Sequence, residues 1–348
     1  MSETTRRWMI YGAYGYTGEL IAREAQRKGL SPVLAGRDQT RLAEMEKLTG
    51  LDTRAFSLEQ DFDAHLRDVD AVLHCAGPFV RTSRPMVDAC LRTGTSYLDI
   101  TGEIGVFESI LRRDGEARAA GISLLPGVGF DVVPTDFLAA RLSAQLPDAT
   151  HLDLAFSSRG GGISRGTLKT MIEGLGHGGA IRRDGKIVPV PVAWDVREIP
   201  YDSGPRLSMT IPWGDVSTAY HTTGIPNIRV YTATPPRTVR RLRWVRRLLP
   251  LASLAPIRWF LQRIAERRSG PDASQRAHSH VDLWAEAWNE RGERRSLTAR
   301  VPDGYSFTAV SAVLATERLL AGSVAPGANT PARAFGSGFM DEILATLG

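Results

Sequence analysis

In the first part of the chain, short apolar runs alternate with longer runs whose apolar residues recur at helical spacing. The apolar runs have the length of buried strands, and glycines mark the ends of most helical runs. Strand and helix alternate six times over roughly 125 residues. This order predicts an α/β fold, a doubly wound parallel sheet of the Rossmann type with helices on both faces. The predicted strands are Trp8–Tyr11, Pro32–Gly36, Thr53–Phe56, Ala71–Ala76, Ser96–Thr101 and Ile122–Leu125.

A glycine-spaced turn joins the first predicted strand to the first predicted helix. After Tyr11 the residues read Gly-Ala-Tyr-Gly-Tyr-Thr-Gly. Small residues let the backbone turn tightly and approach a pyrophosphate, whose charge then faces the N-terminus of the helix. The turn therefore predicts a dinucleotide site that includes Gly12, Tyr14, Gly15, Tyr16, Thr17 and Gly18. A turn of the same kind without a ligand is the alternative.

Two arginines follow the second predicted strand. In a Rossmann unit an acidic residue at this point accepts from the adenosine ribose, whereas arginine accommodates a 2′-phosphate. Here the strand ends at Gly36, Arg37 follows at once, and Arg41 lies one helical turn later. Two guanidinium groups suit a phosphate dianion, so the predicted cofactor is NADP(H) rather than NAD(H). The alternative is that both arginines only solvate the start of the second helix.

The nicotinamide end of the cofactor is expected beyond the carboxyl ends of neighbouring strands. The strand Ala71–Ala76 runs into a turn at this edge. The residues predicted to border the nicotinamide there are Cys75, Ala76, Gly77 and Pro78.

Three residues are candidates for catalytic proton transfer: His74, Tyr97 and Asp131. Histidine titrates near neutral pH, and His74 lies beside the predicted nicotinamide site. Asp131 lies where two domains are expected to meet. A packed or cap-forming ring is the alternative for His74, while Asp99 and Glu103 are expected to brace loops.

The pattern changes after residue 130, where β-branched and proline-rich segments predict several antiparallel strands, in a second α+β domain with a mixed or antiparallel sheet. Alternation from Ser279 to Trp288 and from Arg294 to Val301 adds two strands, and Phe307–Leu320 has the spacing of an amphipathic helix. The predicted domains are residues 1–130 for the cofactor, 131–302 for substrate and dimerisation, and 303–348 as a segment returning to the first domain.

Residues 237–268 form a basic stretch with ten arginines and one acidic residue, Glu266. Apolar residues at helical spacing give it one hydrophobic face. Such a stretch is suited to an anionic membrane surface or to an acidic carrier protein. The favoured alternative is a pair of solvated helices that cover the mouth of the active site or a subunit contact.

Several stretches resemble the saccharopine dehydrogenase-like oxidoreductases, and within them the chain is closest to the group of trans-acting enoyl reductases. The resembling stretches are Gly12–Gly18, His74–Phe79, Gly94–Glu103, Gly129–Asp136, Gly160–Thr167 and Thr330–Ala332. The resemblance implies an NAD(P)-binding Rossmann domain, an inserted second domain and reductase activity on a C=C or C=N bond. His74 departs from the family, which commonly has asparagine at this position.

Composition excludes several other classes. A net charge of +5, carried mainly by arginine, comes with no nucleic-acid recognition motif, so no nucleic-acid partner is expected. The two cysteines offer neither a disulfide framework nor zinc spacing, and no metal site is predicted. No lysine follows a tyrosine by four residues, which excludes the short-chain dehydrogenase mechanism. A cytoplasmic protein is expected, with peripheral membrane association left open, because no apolar run is long enough to span a bilayer.

The sequence therefore favours an NADPH-dependent reductase of an enoyl thioester or another α,β-unsaturated carbonyl, free or carrier-bound, acting as a homodimer. An imine or carbonyl reductase is the enzymatic alternative. A non-catalytic NADP-binding or membrane-peripheral scaffold is the alternative of another class.

Overall fold

The computed structural model describes residues 6–160, 162, 164–174, 178–245, 262–263 and 270–347. The chain divides into two compact units, each described here by itself. The first unit comprises Met1–Val133 together with Tyr305–Gly348, and the second comprises Pro134–Gly304.

One parallel sheet forms the centre of the first unit. Its strands, numbered in chain order, are β1 (Trp8–Tyr11), β2 (Val33–Gly36), β3 (Thr53–Ala55), β4 (Ala71–His74), β5 (Ser96–Asp99), β6 (Ser123–Leu125) and β15 (Gly327–Ala328). These seven strands of the described chain lie in the order β15-β6-β5-β4-β1-β2-β3, and each neighbouring pair is parallel. The predicted Rossmann sheet is confirmed. Its order reverses between β1 and β4, where the chain leaves the sheet in opposite directions and a crevice opens.

Helices cover both faces of this sheet, which explains why its central strands are apolar on both sides. All residues of β1, β2 and β4 are buried, as expected when helices exclude water from both faces. The helices of this unit are Tyr16–Arg27, Gln39–Thr49, Phe79–Thr93, Ile104–Leu111, Asp114–Ala120, Gly304–Leu320, Pro331–Phe335 and Phe339–Leu347, with a 3₁₀ turn at Asp63–His65. Two of these helices lie between β5 and β6, and the second begins at Asp114 with acidic residues in its first turn, where they favour a helix start.

The C-terminal segment returns to the first unit, as predicted. Its short strand β15 pairs with β6, at the edge of the parallel sheet. The helix Gly304–Leu320 contacts the loop after β6 through two hydroxyl groups. Ser311 Oγ donates to the carbonyl of Val128 at 2.8 Å, and the amide of Phe130 donates to Thr308 Oγ1 at 3.0 Å. These bonds fix the loop that leads to Asp131.

The second unit contains a mixed sheet, within the prediction of a mixed or antiparallel sheet. Its strands are β7 (His151–Arg159), β8 (Gly179–Arg183), β9 (Lys186–Val190), β10 (Val196–Tyr201), β11 (Gly204–Thr210), β12 (Asn227–Ala233), β13 (His280–Trp288) and β14 (Arg294–Pro302). As far as the structure describes this unit, the main order is β10-β11-β12-β7-β13-β14, and β8 joins β9 to β12. Strands β7 and β12 are parallel, whereas β13 is antiparallel to both of its neighbours. The helices with described bounds in this unit are Val133–Gln145, Arg165–Gly174, Asp215–Thr223, Pro236–Val245 and Ala273–Ala277.

A buried carboxylate network ties the strands of the second unit together. Asp153 on β7 is fully buried and accepts from Arg229 at 2.8 Å and from Arg197 at 2.6 Å. Arg229 also donates to Asp195 at 3.1 Å. A buried charge is tolerated only where such partners compensate for lost hydration.

Most of the basic stretch 237–268 lies outside the described residues. Within this stretch, the structure describes residues 237–245 and 262–263. Across the part of the chain that the structure describes, no helix has the length and apolar character needed to cross a membrane.

Replacing Gly18 by alanine should destabilise the first unit. A Cβ atom at Gly18 would lie 2.3 Å from the carbonyl oxygen of Gly12. This overlap should lower the free energy of unfolding by about 1–3 kcal/mol. Gly115→Ala is the matched control, because it adds a methyl group to an exposed helical position with no atom within 4 Å. It should leave stability unchanged or raise it by up to about 1 kcal/mol. Equal denaturant midpoints for the two variants would refute the tight contact.

Candidate functional site

The turn after β1 lies directly against the turn after β4. Gly12 has a φ of +86°, and a Cβ atom there would lie 2.8 Å from the amide nitrogen of Ala76. The amide of Gly12 donates to the carbonyl of Ala35 on β2 at 2.7 Å, and the amide of Gly15 donates to Gly12 at 2.9 Å. Only glycine satisfies both the positive φ and the close approach. The glycine turn is thereby fixed at the crevice where the sheet order reverses.

The helix that follows this turn has an N-terminus suited to a phosphate. Tyr16–Arg27 begins after Gly15, which has no side chain to cap it. Amide hydrogens in the first turn of a helix have no partner within the helix and carry partial positive charge. Gly18 lies against the carbonyl of Gly12, so the helix start approaches the turn closely. A pyrophosphate fits this cradle.

Arg37 and Arg41 differ in their surroundings at the end of β2. Arg37 is exposed. The guanidinium of Arg41 lies 4.5 Å from the ring centre of Tyr14 and donates to the Tyr14 carbonyl at 2.7 Å. The sequence predicted that both arginines bind one phosphate. In the structure, Arg37 has the freer side chain and Arg41 is held against Tyr14.

The turn Cys75–Pro78 and the start of the helix that follows it are held by Thr82 of that helix and by Glu103, which lies after β5. Thr82 Oγ1 donates to the carbonyl of Ala76 at 2.7 Å. Glu103 accepts from the amides of Phe79 at 2.9 Å and Val80 at 2.8 Å, one through each carboxylate oxygen. A carboxylate at a helix N-terminus satisfies amide groups that have no helical partner. Glu103 thus braces this loop, as expected from the sequence, while the role of Thr82 was missed.

His74 lies inside the aromatic core of the first unit. Its ring is fully buried, stacks on Tyr11 with centres 5.5 Å apart and meets the ring of Phe79 edge-on at 5.4 Å. Its Nε2 atom lies 3.0 Å from Thr82 Oγ1. Burial lowers the pKa of His74 to about 3, so the ring is neutral at neutral pH. This geometry favours packing, the alternative left open by the sequence, over proton donation.

Tyr97 and Asp99 form a buried pair beneath the carboxyl edge of the sheet. The phenol of Tyr97 donates to Asp99 at 2.7 Å, and Asp99 also accepts from the amides of Thr101 at 3.0 Å and Gly127 at 2.8 Å. Burial raises the pKa of Asp99 to about 6 against the opposing effect of these donors. Burial beside Asp99 also raises the pKa of Tyr97 well above its ordinary value. The pair joins the ends of β5 and β6, and this arrangement favours a structural role for Tyr97.

Asp131 is the candidate whose carboxyl group is least committed to the fold. A Cβ atom at Gly102 would lie 2.6 Å from Asp131 Oδ2, so the carboxyl group packs directly on that glycine. Among the described residues it receives no hydrogen bond, unlike Asp99 and Glu103. Burial, and then the negative charge of Glu103, raise the pKa of Asp131 to about 7. Such a group exchanges a proton near neutral pH.

The structure therefore brings some of the predicted site residues together at the carboxyl edge of the sheet. It buries others in the core. The glycine turn contacts the Cys75–Pro78 turn, Glu103 caps the helix after that turn, and Asp131 lies beside Gly102 and Glu103. His74 and Tyr97 lie in the core beneath this edge. No cluster of three or more potential metal-ligating side chains occurs among the residues described.

Comparison with known proteins agrees with this geometry. Residues 8–125 match the model of the saccharopine dehydrogenase NADP-binding domain. The resemblance predicted from the sequence is confirmed for this domain. The NADP named for this domain family also agrees with the cofactor predicted from Arg37.

Individual proteins that are similar to this chain extend the comparison beyond the domain model. A trans-acting enoyl reductase of Mycobacterium leprae is 34% identical over 144 residues, which cover 38% of this chain and 34% of that protein. A saccharopine dehydrogenase-like oxidoreductase of Bos taurus is 24% identical over 214 residues, covering 53% and 50%. The chain thus spans a third to a half of the length of these two curated relatives. Apo saccharopine dehydrogenase (L-Glu forming) from Saccharomyces cerevisiae has the same fold. Its TM-score is 0.63 at 13% identity, over 98% of this chain and 96% of that one.

The residues of the NADP-binding domain fit NADP(H). The glycine cradle at the N-terminus of Tyr16–Arg27 suits the pyrophosphate, and the exposed Arg37 suits a 2′-phosphate at the end of β2. The turn Cys75–Pro78 lies next to Gly12.

Replacing Arg37 by alanine should weaken NADPH binding much more than NADH binding. Loss of a charge-assisted contact to the phosphate should raise the Kd for NADPH by about tenfold to one-hundredfold. Titrations followed by the fluorescence of the reduced nicotinamide measure both constants. Arg183→Ala, an exposed arginine of the second unit, is the control. An equal loss of affinity for NADPH and NADH would rule out contact between Arg37 and the 2′-phosphate.

Asp131 should make the stability of the protein depend on pH. Because its folded pKa lies above the ordinary value of 3.8, its contribution to stability is present below about pH 4 and is lost as the pH rises through 7. The variant Asp131→Asn lacks this loss. Between pH 5 and pH 8 it should gain about 1–3 kcal/mol relative to the wild type, after allowance for partial exposure. Denaturant unfolding at the two pH values measures the change, and Asp202→Asn at an exposed turn controls for charge.

Proposed function

We propose that the chain is an NADPH-dependent reductase of an activated double bond, with the C=C bond of an enoyl thioester or α,β-unsaturated carbonyl as its preferred substrate. Asp131 carries this proposal. It combines a carboxyl group without a hydrogen-bond donor among the described residues with a place beside the loops at the carboxyl edge of the sheet. The enoyl reductase of Mycobacterium leprae supports the choice of a C=C bond.

NADPH, when bound, supplies the hydride. The substrate carbon that accepts the hydride is electrophilic because the carbonyl group withdraws electrons, and the electron pair of the double bond moves toward the neighbouring carbon. Asp131, in its protonated form, gives its proton to that neighbouring carbon, and the carboxylate is reprotonated from solvent. The new C–H bonds therefore receive one hydride and one proton, which balances the reduction.

Glu103 and Asp99 have positioning roles in this scheme. Glu103 accepts from two helix amides, and its negative charge helps to keep Asp131 protonated near neutral pH. Asp99 accepts from the amides of Thr101 and Gly127 and so holds the loops on either side of the site. Each carboxylate is engaged by donors, which leaves Asp131 as the acid of the group.

A C=N bond is the second candidate for the reduced bond. The match of residues 8–125 to the saccharopine dehydrogenase NADP-binding domain supports it. An imine nitrogen accepts the proton in place of carbon, so the same acid serves both reactions. A substrate panel of a crotonyl thioester, a preformed cyclic imine and a ketone separates them through NADPH oxidation at 340 nm. Tight NADPH binding without turnover of any member would instead favour a non-catalytic NADP-binding protein.

Carrier-bound substrates, membrane contact and homodimer formation stay predictions. The first two were inferred from residues 237–268, most of which lie outside the described residues. In the described part, the helix Pro236–Val245 places Trp244 in solvent with 81% exposure. Liposome sedimentation of proteins with and without residues 237–268 tests membrane contact.

Asp131→Asn should lower kcat by about 10²- to 10⁴-fold, because asparagine has the same shape and no acidic proton. The Kd for NADPH should stay within about twofold. In the wild type, the rate should fall as the pH rises above about 7, following loss of the proton from Asp131. Asp202→Asn should retain the wild-type rate and profile. Full activity of Asp131→Asn with an unchanged pH profile would remove Asp131 from the mechanism.

A further inference from the structure

The phenol of Tyr14 accepts two backbone hydrogen bonds from the turn that follows β2. The amides of Arg37 and Asp38 both donate to Tyr14 Oη, each at 3.1 Å. Tyr14 belongs to the glycine turn after β1, so this one oxygen connects the pyrophosphate cradle to the segment that carries Arg37.

Gly36 provides the space that the Tyr14 ring occupies. A Cβ atom at Gly36 would lie 2.5 Å from Cε1 of Tyr14 and 3.2 Å from its hydroxyl oxygen. The φ of Gly36 lies outside the left-handed region, so its backbone conformation does not require glycine. Space for the ring therefore accounts for glycine at this position. The end of β2 is shaped around the phenol.

Arg41 and Asp38 complete a closed set of contacts around Tyr14. The guanidinium of Arg41 lies 4.5 Å from the ring centre and donates to the Tyr14 carbonyl at 2.7 Å. Asp38 caps the helix Gln39–Thr49 by accepting from the amide of Arg41 at 3.1 Å. Cation–π and charge-assisted contacts of this kind restrict a long side chain. Arg41 is thereby committed to the fold, whereas Arg37 is anchored through its backbone and has an exposed side chain.

We propose that Tyr14 is a positioning residue for the selection of NADPH over NADH. Its phenol oxygen fixes the backbone from which the side chain of Arg37 reaches the 2′-phosphate. This inference rests on the proposed use of NADPH. Tyr14 acts through Arg37 and the turn rather than through the reacting atoms. Arg41 supports the ring, so its contribution to selection passes through Tyr14.

Tyr14→Phe tests the inference because it removes the oxygen and retains the ring. The probes are NADPH and NADH, followed by nicotinamide fluorescence, and 2′,5′-ADP and 5′-AMP, followed by calorimetry. The Kd values for NADPH and 2′,5′-ADP should rise by about fivefold to twentyfold, as expected when two anchoring hydrogen bonds are lost. The values for NADH and 5′-AMP should change by less than about twofold. Tyr220→Phe in the second unit is the matched control.

A double variant separates positioning from a general structural effect. Tyr14→Phe should cause little further loss of NADPH affinity in a chain that already carries Arg37→Ala, because both changes act on the same contact between Arg37 and the phosphate. Gly36→Ala, which displaces the ring, should reproduce the selective loss. Thermal melting of each variant confirms that it is folded. If Tyr14→Phe or Gly36→Ala fails to fold, the remaining folded variant decides the question.

Two outcomes overturn the inference. Unchanged or tighter NADPH binding by Tyr14→Phe would show that the phenol either does nothing or competes with the phosphate for the two amides. Additive losses in the double variant would show that Tyr14 acts independently of Arg37. Wild-type protein that binds NADPH and NADH equally would instead contradict the proposed use of NADPH, so the two failures are distinguishable.

Discussion

The close approach of Gly12 to Ala76 is the contact on which the site depends. The turn after β1 and the turn after β4 meet there, and a single Cβ atom would bring them into overlap. Because the sheet order reverses between these strands, their carboxyl ends border the crevice that holds ligands in folds of this kind. The pyrophosphate cradle and the predicted nicotinamide border therefore share one boundary. Their separation is set by backbone contact rather than by flexible side chains.

Hydrogen bonding distinguishes the three carboxylates near this boundary. Glu103 accepts from helix amides, and Asp99 accepts from two loop amides and the phenol of Tyr97. Asp131 is half-buried, packs against Gly102 and has no comparable donor among the described residues, and its pKa rises to about 7. Residues of one chemical type thus have different roles because donors stabilise the charged form and burial opposes it. The same reasoning explains why His74 is neutral: burial lowers its pKa, and no acidic group compensates.

The adenosine end of the site shows a second division of labour. Arg37 and Arg41 are equivalent in the sequence, four residues apart at the start of one helix. In the structure the guanidinium of Arg41 packs on the ring of Tyr14. The Arg37 side chain extends from a turn whose amides donate hydrogen bonds to the phenol oxygen of Tyr14. Long side chains lose conformational freedom when they bind. Because the backbone at Arg37 is already anchored, only the side chain of Arg37 has to be ordered when a phosphate binds there.

The sequence by itself determined the Rossmann sheet, the glycine turn and the placement of Arg37, because strand–helix alternation and glycine spacing are local patterns. It also predicted strands at Ser279–Trp288 and Arg294–Val301 from their clear alternation, and the structure has them at His280–Trp288 and Arg294–Pro302. Local patterns did not reveal the parallel pairing of β7 with β12 or the short strand β15, since both depend on segments far apart in the chain. Only the tertiary structure showed that Asp131 has different surroundings from His74 and Tyr97. It likewise showed that Arg37 and Arg41 have different contacts. Their roles depend on burial and hydrogen-bond partners, and the fold sets both through residues distant in sequence.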